Sequence, residues 1–280
     1  MEANSELKIQ LFASGYCEAN DYIVNKSKIS SKTKFYAVWA LIHFPNIGYV
    51  LFDTGYSEAF QFATKLFPER LYRWATPVSL KPNQTAKAIL EKQQIKIEDI
   101  KYIIISHFHA DHIAGLNDFP YSKFICSKSA YEEVINLKGI KAVSKGILHP
   151  LLPPDFKLRL SFIEELADTI IINKFGMTEF KLFGNSNCTF VLLPGHAKGM
   201  LGFIYKNKTE SLFYATDASW NYDTYSKGIL PHKIVKLFFD SWDDFIRTQH
   251  KIKMFENENK DFKILFTHCK KTLAYISNEI

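Results

Sequence analysis

The chain has 280 residues, of which 47% are hydrophobic and 23% charged. That balance excludes a disordered or fibrous chain and indicates a globular protein with a sizeable core. Its apolar runs are a few residues long, far short of the roughly 20 that span a bilayer, so no membrane segment is expected.

The acidic start, Met1–Glu6, lacks the basic and then apolar order of a secretory signal. The net charge of +6 comes from Lys and Arg scattered along the chain, which serves solubility or an anionic substrate and marks no nucleic-acid surface. Four separated cysteines, Cys17, Cys126, Cys188 and Cys269, form no C-x-x-C pair. They read as reduced thiols, and the protein as cytoplasmic.

In chain order, Lys8–Phe12, Phe35–Ile42 and Tyr49–Phe52 are rich in strand formers, the last two joined by a hairpin turn at Asn46 and Gly48. Helical patterns follow at Glu58–Phe67, stopped by Pro68, and at Thr85–Gln93 with Asn83 as N-cap. Tyr102–Ile105 is a short apolar run expected to be a buried strand. Lys123–Cys126 predicts a strand and Ser129–Leu137 a helix. The stretch 139–162, with Pro150, Pro153 and Pro154, has no clean period and reads as a pocket-covering insertion or a long surface connection. Phe190–Leu193, Leu212–Ala215 and Lys263–Phe266 predict strands. A long helix is expected over Trp242–Phe255, with Trp242, Phe245, Ile246, Ile252 and Phe255 on one face and Ser241 and Asp244 as a capping box. Strands mixed with helices indicate a layered α/β protein with mixed sheets. Apolar segments recur without a hinge, so residues 1–280 read as one domain.

The chemistry concentrates in Ser106-His107-Phe108-His109-Ala110-Asp111-His112, directly after the apolar run at 102–105. A core does not collect three histidines, whereas imidazole and carboxylate are standard ligands of Zn²⁺ and its neighbours. His196, Asp217 and His268 each follow a short apolar run in the same manner. Strand ends on one rim of a sheet converge on a shared site. His43, His149, His232 and His250 lie outside the pattern and read as packing or surface residues. Cys269 is discounted as a ligand because neighbouring strand residues face opposite ways. Two cations sharing a carboxylate can hold a hydroxide at neutral pH that attacks a carbonyl or a phosphorus, and Asp111 could move a proton to the leaving group. No G-x-S-x-G element is present, which argues against a covalent serine hydrolase.

H-x-H-x-D-H followed by His, Asp and His resembles the metallo-β-lactamase fold superfamily, from Asp53-Thr54-Gly55 to His268. The resemblance implies a four-layer αβ/βα sandwich of two mixed β-sheets flanked by helices. It implies that His107, His109 and His196 hold one metal and Asp111, His112 and His268 a second, with Asp217 bridging and Asp53 as a supporting aspartate. The antibiotic-hydrolysing branch is exported and lacks the bridging aspartate. The glyoxalase II-like branch shares the ligands. The tRNA-processing nucleases carry a Gly-rich basic arm that is absent here. The spacing 217 − 196 = 21 and Asp217-Ala218-Ser219 resemble the N-acyl homoserine lactone lactonases most. In that branch a Tyr stands three residues after the bridging Asp and assists at the carbonyl oxygen. Here the residue is Trp220, whose indole N–H donates a hydrogen bond but delivers no proton.

The expectation is a dinuclear hydrolase of lactones, esters or thioesters with a hydrophobic acyl portion, with Asp111 and Trp220 at the reacting atoms. The small-molecule substrate meets two divalent ions, best Zn²⁺, with Fe, Mn or Co also fitting. The alternatives are a phosphodiesterase or nuclease using the same ions, or a binding protein that kept the fold.

Overall fold

Alternating and β-branched residues in the first fifty positions build a hairpin of two long strands, which sets the frame for the rest. The computed structural model describes residues 6–24 and 31–279. Strands β1 (Lys8–Asn20) and β2 (Lys32–Phe44) pair antiparallel with Phe12 opposite Trp39, and β3 (Gly48–Phe52) turns back on β2. With β4 (Val78–Ser79), β5 (Ile100–Ile104), β6 (Lys123–Cys126) and β7 (Leu160–Phe162) they form a seven-stranded sheet. Its order is β4-β1-β2-β3-β5-β6-β7, parallel from β3 onward. The second sheet contains β8 (Thr169–Ile172), β9 (Thr178–Lys181), β10 (Cys188–Leu192), β11 (Leu201–Lys206), β12 (Ser211–Tyr214) and β13 (Lys263–Leu265). Its order is β13-β12-β11-β10-β9-β8, and only β12 and β13 run parallel.

The two sheets stack through one apolar layer. Val38, Ala40, Phe52 and Ile104 of the first meet Phe190, Phe203 and Tyr214 of the second, with the Phe52 ring 5.1 Å from that of Phe203. Each sheet buries its other face under helices. Ile89 and Leu90 of the helix Ala86–Lys92 and Val134 of Lys128–Asn136 cover the first, and Ile252 and Phe255 of Trp242–Glu258 cover the second. Full burial of one such side chain stabilises by about 1.5–3 kcal/mol. The order helix, sheet, sheet, helix is the expected four-layer sandwich.

Several boundaries differ from expectation for local reasons. The helix expected over 58–67 spans only Ala59–Ala63, since Thr64 turns its hydroxyl onto Phe60 O (2.6 Å) and the chain leaves the helix there. Thr85, not Asn83, caps the next helix, its Oγ1 accepting from Ala88 N at 3.2 Å. Ser241 caps the long helix by accepting from Asp244 N, but the Asp244 carboxylate goes to Arg247 instead of closing a box. Ile246 is 37% exposed and Thr248 takes its place on the buried face. Residues 139–162 contain the short helices Gly139–Ser144 and Phe156–Arg159 and end in β7, an edge of the first sheet. All four cysteines are buried and unbridged. No described helix is long and apolar enough to cross a membrane.

Candidate metal centre

The strand exits of both sheets open on one edge of the sandwich. From β5 the chain passes Ser106 and His107 into the single turn Ala110–Ile113, which carries Asp111 and His112. His196 follows β10, Asp217 lies in the turn Thr216–Ala218 after β12, and His268 follows β13. Gly195 sets His196 in place. Its φ is +132°, and a Cβ there would stand 2.2 Å from Phe245 N, so the start of the long helix can pack directly on the backbone.

All seven residues come together. One ligand atom each from His107, His109, His196 and Asp217 lies within 4.8 Å of the others, and the same holds for Asp111, His112, Asp217 and His268. The two groups share Asp217. His107 Nε2 and His196 Nε2 each lie 3.0 Å from His109 Nδ1. Asp217 Oδ2 is 3.3 Å from His196 Nε2 and 3.1 Å from His268 Nε2.

Hydrogen bonds behind the rings decide which nitrogen faces inward. His112 Nδ1 donates to Asp53 Oδ2 at 2.7 Å, and the other Asp53 oxygen accepts from Ser106 N at 2.7 Å. His268 Nδ1 donates to Tyr36 O and His109 Nε2 to Lys145 O, both at 3.0 Å. A carbonyl or carboxylate only accepts, so one proton is held on the outward nitrogen, and in the neutral ring a lone pair faces the cluster. His112 Nε2 and Asp217 Oδ1 are buried with no hydrogen-bond partner. Unpartnered buried polar atoms are costly, and a cation between the two groups would satisfy both. The donor set therefore fits divalent metal ions.

Electrostatics divide the histidines into two sets. Burial lowers the pKa of His107, His109 and His196, keeping them in the neutral form that binds metal. Burial works the same way on His112 and His268, but carboxylates outweigh it and both are raised, His112 by Asp111, Asp53 and Asp217, His268 by Asp217 and Asp111. Burial would raise Asp217, yet His268 and His112 hold it well below the usual carboxylate range. Burial pushes the Cys17 thiol up to about 12, so it stays neutral beside the cluster. Cys269 Sγ accepts from Tyr222 N and stands outside both ligand groups.

Trp220 lies against the site, its ring centroid 5.7 Å from that of His196 and 5.8 Å from Phe35. Phe35 packs on His268 at 4.9 Å and Phe239 on His196 at 5.0 Å. Sequence reading passed over both phenylalanines, and over the Tyr36 and Lys145 carbonyls, because none carries a chemical signature. A cavity of about 140 Å³ opens beside His268, lined by Val24, Phe35, Trp220, Asn221 and Lys270 among others. The hydroxyls of Tyr222 and Tyr225 both donate to Glu256 on the long helix, which accounts for the two tyrosines near Trp220. Among the other histidines, His149 donates to Val134 O, His232 Nδ1 accepts from Ile234 N and His43 packs on Tyr49.

Two stacked mixed sheets with a seven-residue His/Asp cluster at their common edge define a class of proteins that sequence comparison names directly. The model of the metallo-beta-lactamase superfamily matches residues 35–251, and the chain belongs to that superfamily. It is similar to the N-acyl homoserine lactonase AttM of Agrobacterium fabrum, 24% identical over 174 residues that cover 61% of this chain and 58% of that protein. The N-acyl homoserine lactonase AiiA of Bacillus thuringiensis subsp. kurstaki is 25% identical over 129 residues, 46% and 52% of the two chains. The match thus spans just over half the length of these curated relatives. Among solved structures, an N-acyl homoserine lactone hydrolase with N-hexanoyl-L-homoserine at its catalytic metal centre superposes with a TM-score of 0.71, at 16% identity over 96% of each chain. The dizinc quorum-quenching lactonase AidC gives 0.62 at 17% identity, over 95% of this chain and 88% of that one. At such identities the structural likeness is one of fold.

Proposed function

We propose that this protein is a hydrolase that uses two divalent cations to cleave the acyl C–O or C–S bond of a lactone, ester or thioester with a hydrophobic acyl portion. The observation that carries the reading is the pair of ligand groups sharing Asp217, with His112 Nε2 and Asp217 Oδ1 buried and unpartnered between them. By the family pattern, His107, His109 and His196 would hold one ion, Asp111, His112 and His268 the other, and Asp217 would be shared by the two groups. The N/O donor set suits Zn²⁺, and Fe, Mn or Co also fit. Ions bound there would supply a water of pKa about 7 and a Lewis acid for a carbonyl oxygen.

The chain's own groups supply the rest. Asp111 Oδ2, 3.3 Å from His268 Nε2 and 3.5 Å from His112 Nε2, takes a proton and returns it to the leaving oxygen. Trp220 and Phe35 form an apolar wall that orients the acyl portion, and the Trp220 indole N–H donates to the carbonyl oxygen. Because Tyr222 and Tyr225 are engaged by Glu256, neither supplies the phenol that the lactonases place beside their substrate. The likeness to the N-acyl homoserine lactonases AttM and AiiA supports the acyl-lactone class. One observation favours a second reading. Lys270 and Lys271 line the same cavity and suit a phosphodiester, with Lys271 standing 2.9 Å from Asp223, which with Asp21 lines the cavity too.

The test follows proton release when metal-loaded protein meets a long-chain N-acyl homoserine lactone. Metal-dependent opening is expected, lost in Asp111→Asn and in Asp217→Ala, the latter also retaining fewer ions. Retention of both ions and full turnover by Asp217→Ala would refute the ligand assignment. Cleavage of a phosphodiester alone, with steep salt dependence, would replace the first reading by the second.

A further inference from the structure

Two adjoining segments beside the site turn large apolar side chains to solvent. In residues 59–75, Phe60 and Ala63 enter the core while Phe62, Leu66, Phe67 and Trp74 are 76%, 73%, 66% and 67% exposed. The helix Arg70–Ala75 packs on Gly139–Ser144, where Ala142 and Val143 are buried and Ile140 is 58% exposed. Single exposed apolar residues need no explanation, but five on two neighbouring segments mark an interaction surface. The charge around them has one dominant sign. Residues 58–75 and 138–151 carry Lys65, Arg70, Arg73, Lys138, Lys141 and Lys145, against Glu58 and Glu69. Lys145 turns inward to Phe239 O, and the other five lie on the same two segments as the apolar residues. Arg70 lies over the Trp74 ring at 5.3 Å, the pairing of a cation with an aromatic that suits the level of lipid headgroups.

The geometry points to an anionic lipid surface as the occupant of this face, with Phe62, Leu66, Phe67, Trp74 and Ile140 entering the headgroup layer and the cations meeting lipid phosphates. A second copy of the chain fits poorly. A two-fold contact would set five cations against the same five, with two glutamates to answer them. A lipid surface offers apolar depth and negative charge together. The same segments reach the metal centre from their inner side. Tyr72 packs on Phe60, and Ile147 bridges to His109. The inference concerns binding alone and stands whether or not the hydrolase reading holds.

The experiment is flotation of the whole chain with vesicles of phosphatidylcholine alone or with about 30% phosphatidylglycerol, at low and high salt. Binding to the anionic vesicles is expected, at least tenfold weaker on neutral ones and weakened by salt. A blue shift of tryptophan emission should accompany it and shrink in Trp74→Phe. Leu66→Ser with Phe67→Ser should abolish binding, and Lys138→Gln with Lys141→Gln should weaken it about fivefold for each charge removed. All four positions are exposed, so the thermal melts should match wild type. Absence of binding to anionic vesicles, or binding that ignores both pairs of substitutions, overturns the inference. So does a stable dimer in light scattering that the Leu66→Ser/Phe67→Ser pair dissolves, since a second copy would then be the occupant.

Discussion

Asp53→Asn isolates the control of one ring nitrogen. The Asp53 carboxylate is fully buried and makes two bonds of 2.7 Å, accepting from Ser106 N and from His112 Nδ1. Asparagine has the same shape. Its oxygen can keep the Ser106 bond, but its NH₂ then faces His112 Nδ1, and two donors cannot meet. The imidazole proton must move to Nε2, which lies 3.5 Å from Asp111 Oδ2 and 3.8 Å from Asp217 Oδ1. That lone pair is then closed to a metal. Losing such an outer partner costs about 10–100-fold in metal affinity, or roughly 1.4–2.8 kcal/mol. Stability of the ion-free chain should change less, because the charged bond lost, about 1.5–3 kcal/mol, is offset by no longer burying a carboxylate whose pKa burial has raised. Titration of Zn²⁺ or Co²⁺ against a competing chelator measures the affinity. A folded Asp53→Asn protein that binds two ions as tightly as wild type would refute the argument that Asp53 sets the tautomer.

Other outcomes follow from the same geometry. Gly146 has φ +73° and a Cβ there would lie 2.6 Å from His109 Cδ2, so Gly146→Ala should cost about 1–3 kcal/mol of stability by thermal melt and weaken ion binding; unchanged values in both would contradict it. Burial raises Asp118 from 3.8 to about 6, so folding disfavours its charged form and stability falls as pH rises through that window. Asp118→Asn should therefore stabilise by up to about 2 kcal/mol at pH 7, allowing for partial exposure, and by nothing below pH 4, which urea melts at the two pH values would decide. His112 and His268 hold protons above the usual histidine range, through Asp111 and Asp217 acting against burial, and a metal must displace those protons. Ion retention after dialysis should drop as pH falls through their raised values, and retention that is flat with pH would argue against both as ligands. Chelation should lower the melting temperature, with added Zn²⁺ restoring it in proportion to the logarithm of its concentration.

The clustering of the seven His and Asp residues was legible because histidine and aspartate after an apolar run have few structural reasons to gather. What anchors them was not. Tyr36 O and Lys145 O act through the main chain, which every residue possesses. Strand β9 escaped notice because Thr178, Glu179 and Lys181 break the apolar pattern, and β11 because Gly202 interrupts its run. That glycine is required, since a Cβ would meet Tyr214 O at 2.6 Å across the ladder. The apolar spacing over 58–67 suggested a longer helix, yet Phe62, Leu66 and Phe67 face solvent and give it no core to rest on. Periodicity reports which side chains are alike, and only tertiary packing decides whether anything stands opposite them.

The position of the cluster relative to the ladders bears on how such a protein changes over generations. The last paired residues are Ile104, Leu192, Tyr214 and Leu265, and His107, His196, Asp217 and His268 each come just after one of them. Part of the cavity wall also comes from connecting turns, around Trp220 and Lys270, beside Thr33 and Phe35 of β2. Heritable variation can thus reshape the cleft's breadth, polarity and preferred guest while every rung of the two sheets stays intact. The scaffold and the specificity are free to drift at different speeds.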